Sequence, residues 1–121
     1  MPTEAVNEVV KDLKTRIGAV ASALVSKDGM VLYADLPDGV QTETFAMMCA
    51  TILGAAATAN IELNRAPLAH IIVDGPDSKT LIVGSGKKAF LVAVVDHNAD
   101  TKNVLMEMSK VAELPYTAPK P

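Results

Sequence analysis

The stretch "TFAMMCATILGAAATANI", Thr44 to Ile61, decides how this sequence is to be interpreted, because it carries no charge, no proline and one glycine. It lies between Glu43 and Glu62 and is rich in Ala and Thr. Such a run predicts one continuous helix. A helix on the surface of a monomer normally presents Lys and Glu to water. The sequence therefore predicts that this helix is covered on more than one side.

The residues before it predict a helix and a hairpin. Thr3 is a suitable N-cap for a first helix that Gly18 ends. The turn Lys27 to Gly29 separates two β-prone runs, as a hairpin requires, and a second turn follows at Pro37 to Gly39. The long helix then runs from about Thr42 to Asn64, with Thr42 as its cap.

Three apolar runs follow the long helix, and short loops join them. The loops at Gly75 to Ser78 and Gly84 to Lys88 are short enough that the strands must be antiparallel. Every position from Ala89 to Val95 is apolar, which predicts a central strand covered on both faces. Asp100 caps a last helix, which Pro115 ends. The three runs are "LAHIIVD" (68–74), "KTLIVG" (79–84) and "AFLVAVVD" (89–96).

The element order is therefore α-β-β-α-β-β-β-α. This order predicts an α+β sandwich, in which a five-stranded antiparallel sheet carries helices on both faces. We expect residues 1–114 to form a single domain and residues 115–121 to be a short, Pro-rich, mobile tail.

Helical periodicity divides the long helix into two faces. We expect the face with the larger side chains to pack on the sheet: Phe45, Met48, Cys49, Ile52, Ala56, Ala59 and Leu63. The opposite face carries small residues, which allow another backbone to approach closely. A second copy of the chain, related by a two-fold axis, is the simplest partner for it. This opposite face consists of Met47, Ala50, Thr51, Gly54, Ala57, Thr58 and Ile61.

Composition excludes several classes of partner. The formal net charge is −3 and aromatic residues make up 3% of the 121 residues, so we expect no nucleic-acid binding. The single Cys49 cannot form an internal disulfide, which favours a reducing cytoplasm. Thr and Asn interrupt the apolar helix and its flanks lack Lys and Arg, so we expect no membrane insertion.

No motif indicates catalysis, a cofactor or a metal. "GSGKK" (84–88) lacks the first Gly, the final Ser or Thr and the helix of a phosphate loop, so it is interpreted as a hairpin loop. Asp96, Asn98, Asp100 and Glu107 have calcium-loop spacing, but the required Gly is replaced by Thr101. Cys49, His70 and His97 belong to no local catalytic signature. We therefore expect a protein that is not an enzyme.

With its elements in this order, the chain resembles the Roadblock family of GTPase-associated, dynein light chain-like domains, which have a profilin-like sandwich fold. Three segments carry the resemblance: "GAVASALVSKDGMVLYADLPDG" (18–39), "FAMMCATILGAAATAN" (45–60) and "GKKAFLVAVVD" (86–96). The resemblance implies a homodimer or heterodimer in which the long helices pair and the third strands, here Leu68 to Asp74, extend the sheet. Leu68, His70 and Ile72 would lie near that joint.

The resemblance also implies a platform that regulates or scaffolds a Ras-like small GTPase. Such a platform can supply an arginine, or it can hold a switch segment of the GTPase without supplying a catalytic group. Arg16 and Arg65 are the chain's two arginines. We interpret them as cations at helix ends, which favours the second route. A motor-light-chain-type adaptor and a small-molecule sensor domain remain the alternative functions.

Overall fold

The computed structural model describes residues 3–114, and these residues form eight regular elements. Residues 1–2 and 115–121, including the predicted tail, lie outside the described part. The elements are α1 (Thr3–Ile17), β1 (Ala21–Ser26), β2 (Val31–Asp35), α2 (Thr42–Glu62), β3 (His70–Asp74), β4 (Ser78–Ser85), β5 (Ala89–Asp96) and α3 (Thr101–Ala112). This is the element order that the sequence predicts.

The five strands form one antiparallel sheet in the order β2-β1-β5-β4-β3. The short turns explain the β1–β2 pair and the β3–β4–β5 meander, because loops of three or four residues return the chain beside itself. The β1–β2 hairpin joins the β3–β4–β5 meander through the pairing of β1 with β5. β5 therefore lies at the centre of the sheet, and β2 and β3 are its edges.

The central strand β5 is covered on both faces, as its continuous apolar run predicts. Leu91, Ala93 and Val95 belong to the core beneath α1 and α3. Phe90 and Val92 belong to the core beneath α2. The α+β sandwich is thus confirmed, with two helices on one face of the sheet and one on the other.

Helices α1 and α3 pack side by side on the same face. The apolar residues of α1 and of α3 recur at helical spacing, so each helix buries one apolar stripe against the sheet. Arg16 Nε donates to Glu107 Oε2 at 3.2 Å and so links the two helices. Ser85 Oγ donates to the Ala112 carbonyl at 2.9 Å and ties the end of α3 to β4. The buried residues of the stripes are Val6, Val10, Leu13, Ile17, Val104, Met108, Val111 and Ala112.

Several predicted boundaries hold, and others need correction. Asp100 caps α3, since its side chain accepts from the Asn103 N–H at 3.2 Å. Thr42 is not the cap of α2: the N-cap is Gln41, whose side chain makes no capping bond. α2 ends at Glu62 rather than Asn64, and β3 begins at His70 rather than Leu68.

The segment "GSGKK" forms the end of β4 and the turn into β5, as interpreted from the sequence. Ser85 pairs with Ala89 across this turn, and Gly86 takes a φ of +68°. No helix follows the loop, because β5 begins at Ala89. The segment therefore lacks the helix N-terminus with which a phosphate loop holds its ligand.

Candidate functional site

The N-terminal half of α2 lies directly on the sheet. Ala46 and Cys49 are buried there against Ala23 and Val25 of β1. Their side chains are small, so the helix backbone can come close to the strands. The described residues of the C-terminal half of α2 include no fully buried side chain.

The sheet-facing side of α2 matches the prediction from sequence only in part. Met48 and Ile52 were expected on the sheet, yet they are 51% and 37% exposed, and Ala59 and Leu63 are also exposed. Ala50 was expected on the opposite face and is 9% exposed, in the core with Ala46 and Cys49. The helix is thus rotated from the predicted orientation, since small residues suit the narrow space above β1 and β2 better than Met and Ile do.

The outward side of α2 forms what we call the apolar helix face. It has no charged residue between Glu43 and Glu62. Met47 is 47% exposed and Ile61 is 69% exposed, which leaves large apolar side chains in water. Ala57 was predicted here and is half-buried. The exposed members are Thr44, Met47, Met48, Thr51, Ile52, Gly54, Ala55, Thr58, Ala59 and Ile61.

The edge strand β3 has one side without a neighbour in the described chain. It pairs with β4 alone, and both Ile72 and Val73 are exposed. The Gly75 N–H bonds to the Ser78 carbonyl at 2.9 Å, so the backbone groups of Gly75 point towards β4. Because the direction alternates along a strand, the backbone groups of His70, Ile72 and Asp74 point outward. An exposed apolar edge of this kind is a template for another strand.

A groove of about 520 Å³ separates the C-terminal half of α2 from the β3–β4 end of the sheet. Gly54, Ile61 and Leu68 contribute apolar lining, while Lys27 and Arg65 lie at its sides. The Asn60 amide bonds to the Ala66 carbonyl and holds the segment after α2 along this groove. The groove therefore connects the apolar helix face to the β3 edge.

Cys49 is a core residue. Its side chain is 3% exposed, and burial raises the pKa of its thiol above the usual value. A protonated, covered thiol is a poor nucleophile. The environment of Cys49 therefore gives no support to a catalytic Cys–His pair.

His97 and Asp74 lie together in the structure, although no sequence motif connects them. The imidazole Nδ1 of His97 lies 3.5 Å from Asp74 Oδ1. The backbone N–H of His97 donates to the Asp77 carbonyl at 3.1 Å. The order of the three strands in the meander could have indicated this proximity, because it puts the β3–β4 turn and the end of β5 at the same end of the sheet. His70, at the other end of β3, is exposed.

The three acids that have calcium-loop spacing in the sequence have other partners. Asp96 Oδ1 accepts from the Asn98 N–H, Asp100 caps α3, and Glu107 pairs with Arg16. Within one copy, residues 3–114 bring no three metal-ligating side chains together.

The helix α2 is long and apolar enough to cross a membrane by length and composition alone. In this structure 17% of its most apolar 18-residue window is buried. Length and composition also fit a helix that lies between two layers of protein. The packing of Ala46 and Cys49 on β1 shows that one side of α2 already has such a layer.

Known proteins share this fold and this sequence pattern. MglB of Myxococcus xanthus superposes with a TM-score of 0.86 at 17% identity, covering 92% of this chain and 84% of that one. An MglB solved with a tetrameric arrangement gives a TM-score of 0.84 at 24% identity, with 93% and 85% covered. The uncharacterized protein MJ1340 of Methanocaldococcus jannaschii is 29% identical over 108 residues, which are 89% of this chain and 94% of that protein.

The structural likenesses establish the fold, and a match to a family extends over most of its elements. The Roadblock/LC7 domain matches residues 5–95 of 121, from α1 to the end of β5. The matched part contains the apolar helix face, the groove and the β3 edge. The chain belongs to the Roadblock/LC7 domain family.

Proposed function

We propose that this protein is a non-enzymatic dimer that regulates or scaffolds a Ras-like small GTPase in the cytoplasm. The observation that carries the proposal is the continuity of the apolar helix face with the unpaired β3 edge. Both features expose apolar groups to water, and both adjoin the same groove. Large exposed apolar patches mark interaction sites.

A second copy fits both features at once. A two-fold axis near β3 pairs the two edge strands and sets the two α2 helices side by side on one face of a joint sheet. Gly54 and Thr58 allow the helix backbones to approach closely. The second α2 then covers the β3–β4 part of the sheet, which α2 of the same chain leaves open. The tetrameric arrangement of one solved MglB is consistent with self-association in this fold.

A bilayer is a poorer occupant of the apolar helix face. Insertion would require α2 to leave the sheet and uncover the core around Phe90 and Val92. Each exposed large apolar side chain costs about 1.5–3 kcal/mol. A protein layer covers the same face without that loss.

The GTPase partner is proposed from the family resemblance, and the arrangement of the arginines supports an indirect route of action. Arg16 lies on the face of the sheet opposite α2 and is paired with Glu107. Arg65 follows α2 at the side of the groove. Arg16 is therefore badly placed to reach a GTPase bound on the paired helices. We propose that the dimer surface holds a switch segment in its hydrolysis-competent arrangement.

A small-molecule sensor is the second candidate, and the groove is the observation that favours it. Its volume lies in the range of ligand sites, and Lys27 and Arg65 would suit an anionic ligand. Under the dimer proposal the second copy fills this groove. A thermal-shift screen of metabolites against the wild-type protein distinguishes the two, since a sensor gives a saturable rise in melting temperature.

Solution mass across a dilution series tests the dimer. We expect the wild type to be a dimer and Gly54→Glu to be a monomer, because the change puts a charge into the helix pair. A Cβ on Gly54 meets nothing within 4 Å, so the fold of one copy accepts the substitution. Met106→Glu is the matched control and should remain a dimer, because the Met106 side chain on α3 is 50% exposed and lies on the other face of the sheet from α2. A wild-type monomer at every concentration would contradict the proposal.

Binding of a GTPase is tested next, with immobilised protein and cell extract loaded with either GDP or a non-hydrolysable GTP analogue. A Ras-like GTPase bound in one nucleotide state and lost with Gly54→Glu supports regulation. Binding that is equal in both states supports the adaptor alternative. Capture of no GTPase in either state would remove the GTPase from the proposal.

A further inference from the structure

The proposed dimer restricts how two β3 strands can pair. Both α2 helices lie on the same face of the joint sheet only if the two-fold axis is perpendicular to that sheet. Such an axis keeps each side chain on its own face. Directly opposed residues in an antiparallel pair also share a face. The axis must therefore pass midway between one residue of β3 and the same residue of the partner subunit. The residue at this central position can be Ile71, Ile72 or Val73.

The direction of the backbone groups selects among these three. His70, Ile72 and Asp74 point outward, because Gly75 bonds back to Ser78. Centred on Ile72, the pairing uses all three residues of each strand and forms roughly six backbone hydrogen bonds. A pairing centred on Ile71 or Val73 leaves one of these three outward-pointing residues with no partner residue in the other β3 strand. It therefore forms about four backbone hydrogen bonds. The Ile72 register is therefore the most stable.

This register places His70 directly opposite Asp74 of the partner subunit, with their Cβ atoms about 5 Å apart. Both residues lie on the face of the sheet that carries α1 and α3, since His70 pairs with Val83, which belongs to that core. Asp74 in turn lies 3.5 Å from His97 of its own chain. Each end of the joint thus gathers two imidazoles and one carboxylate.

The one distance of this cluster that lies within a single chain fits a metal site. Two ligands at 2.0–2.2 Å from a tetrahedral zinc ion are about 3.4 Å apart. Asp74 Oδ1 and His97 Nδ1 lie at 3.5 Å. We infer that dimerisation completes two equivalent zinc sites, each formed by His70 of one copy with Asp74 and His97 of the other. The inference rests on the proposed dimer.

The surroundings favour a cation at this position. Lys79 lies opposite Asp74 on β4, but its Nζ donates to Thr101 Oγ1 at 2.9 Å and is turned towards α3. Asp77 lies in the adjoining turn and Asp96 at the end of β5, which leaves the local charge negative. The bond from the backbone N–H of His97 to the Asp77 carbonyl holds the backbone of His97 beside the turn. The side chains of Asp74 and His97 are 62% and 48% exposed, so water can supply a fourth ligand.

The dimer dissociation constant, measured with Zn²⁺ and with a chelator, tests the inference. With free zinc at about ten times the dissociation constant of each site, two sites tighten the wild-type dimer roughly 100-fold. His70→Ala, Asp74→Asn and His97→Ala should each abolish this effect. Asp77→Asn is the matched control, because it removes a nearby carboxylate and keeps the backbone contact with His97. Co²⁺ should give the absorption of a tetrahedral site in the wild type and in Asp77→Asn, and in none of the three ligand variants.

Mixing two inactive variants separates a shared site from one within a single chain. A heterodimer of His70→Ala and Asp74→Asn has one complete site, because the second copy supplies His70 and the first supplies Asp74 and His97. Purified with two different affinity tags, it should bind one zinc ion, against two for the wild-type dimer and none for either variant homodimer. His70 and His97 are the chain's two histidines, so substitution leaves no other imidazole.

The outcomes distinguish the site from the dimer on which it rests. A dimer whose dissociation constant does not respond to zinc overturns the site and leaves the proposed function intact. A monomer with and without zinc overturns both. A zinc response that survives His70→Ala, or a mixed heterodimer that binds no zinc, overturns the shared arrangement.

Discussion

Gly29, at the tip of the β1–β2 hairpin, lies against Met47 of α2. A Cβ placed on Gly29 would come within 2.8 Å of Met47 Cε and 2.9 Å of its sulfur. The backbone at Gly29 also takes a φ of +94°, which favours glycine. This glycine therefore allows the hairpin turn and also leaves room for a side chain of the apolar helix face.

Gly29→Ala should displace Met47, whereas Gly39→Ala should not. Gly39 has a similar φ of +87°, but a Cβ there meets nothing within 4 Å. We expect both variants to lose about 1–2 kcal/mol of unfolding free energy from backbone strain. Only Gly29→Ala should also weaken the dimer in a dilution series. Equal dimer dissociation constants for the two variants would show that Met47 has no part in the interface.

Ile72→Cys should cross-link two copies under mild oxidation, because the Ile72 register puts this residue beside its own copy. Val73→Cys should not, since it would oppose Ile71 of the partner subunit. The native Cys49 is buried and stays out of the reaction. Non-reducing gel electrophoresis measures the fraction cross-linked. A Val73→Cys dimer without an Ile72→Cys dimer would place the axis at Val73 and remove the zinc geometry.

Arg16→Ala and Arg65→Ala should leave stimulation of GTP hydrolysis within about threefold of wild type, because an arginine supplied to the phosphate is worth 10³–10⁵ in rate. Single-turnover hydrolysis by the GTPase recovered in the binding experiment provides the measurement. Gly54→Glu should abolish the stimulation through loss of the dimer. A thousandfold loss with either arginine variant, at unchanged binding, would contradict the indirect route.

Alkaline pH should destabilise the fold. Burial raises the pKa of Cys49 above its usual value of 9.0. Burial, followed by the charges of Asp35 and Glu8, raises the pKa of Tyr33 above 10.0. The unfolded chain releases these protons first, so the stability is full below about pH 9 and falls as the pH rises through the folded values. Denaturant titrations from pH 7 to 11 measure the slope, which Tyr33→Phe and Cys49→Ala should reduce.

The element order was predictable because turns and apolar runs are local signals. Gly29 and the Gly75–Ser78 turn indicate reversals of the chain directly, and the apolar run of β5 indicates its central place. The rotation of α2 was not predictable in the same way. Met48 and Ala50 are both apolar, so periodicity does not decide which of them faces the sheet. The depth of the space above β1 decides it, and that depth depends on packing.

The candidate site was predictable as a surface and incompletely as a set of residues. The uncharged run of α2 indicated an interface, and most of its predicted outward residues are exposed. The His97–Asp74 contact joins the ends of two strands separated in the chain by the whole of β4, and no local spacing reveals it. Such a contact depends on strand order, which a single sequence fixes only through the complete fold.

The edge strand β3 begins with His70 and ends with Asp74. In the proposed antiparallel pair, the histidine of each copy therefore faces the aspartate of the other. This property governs which chains can share a sheet. A copy with Asp74→Lys would place a lysine opposite His70 and so lose the complementary pair with itself. The same copy would suit a sister chain with acids at both ends of the strand. The residues at positions 70 and 74 would then decide which chains of one cell form dimers with each other, while the chains keep the same core.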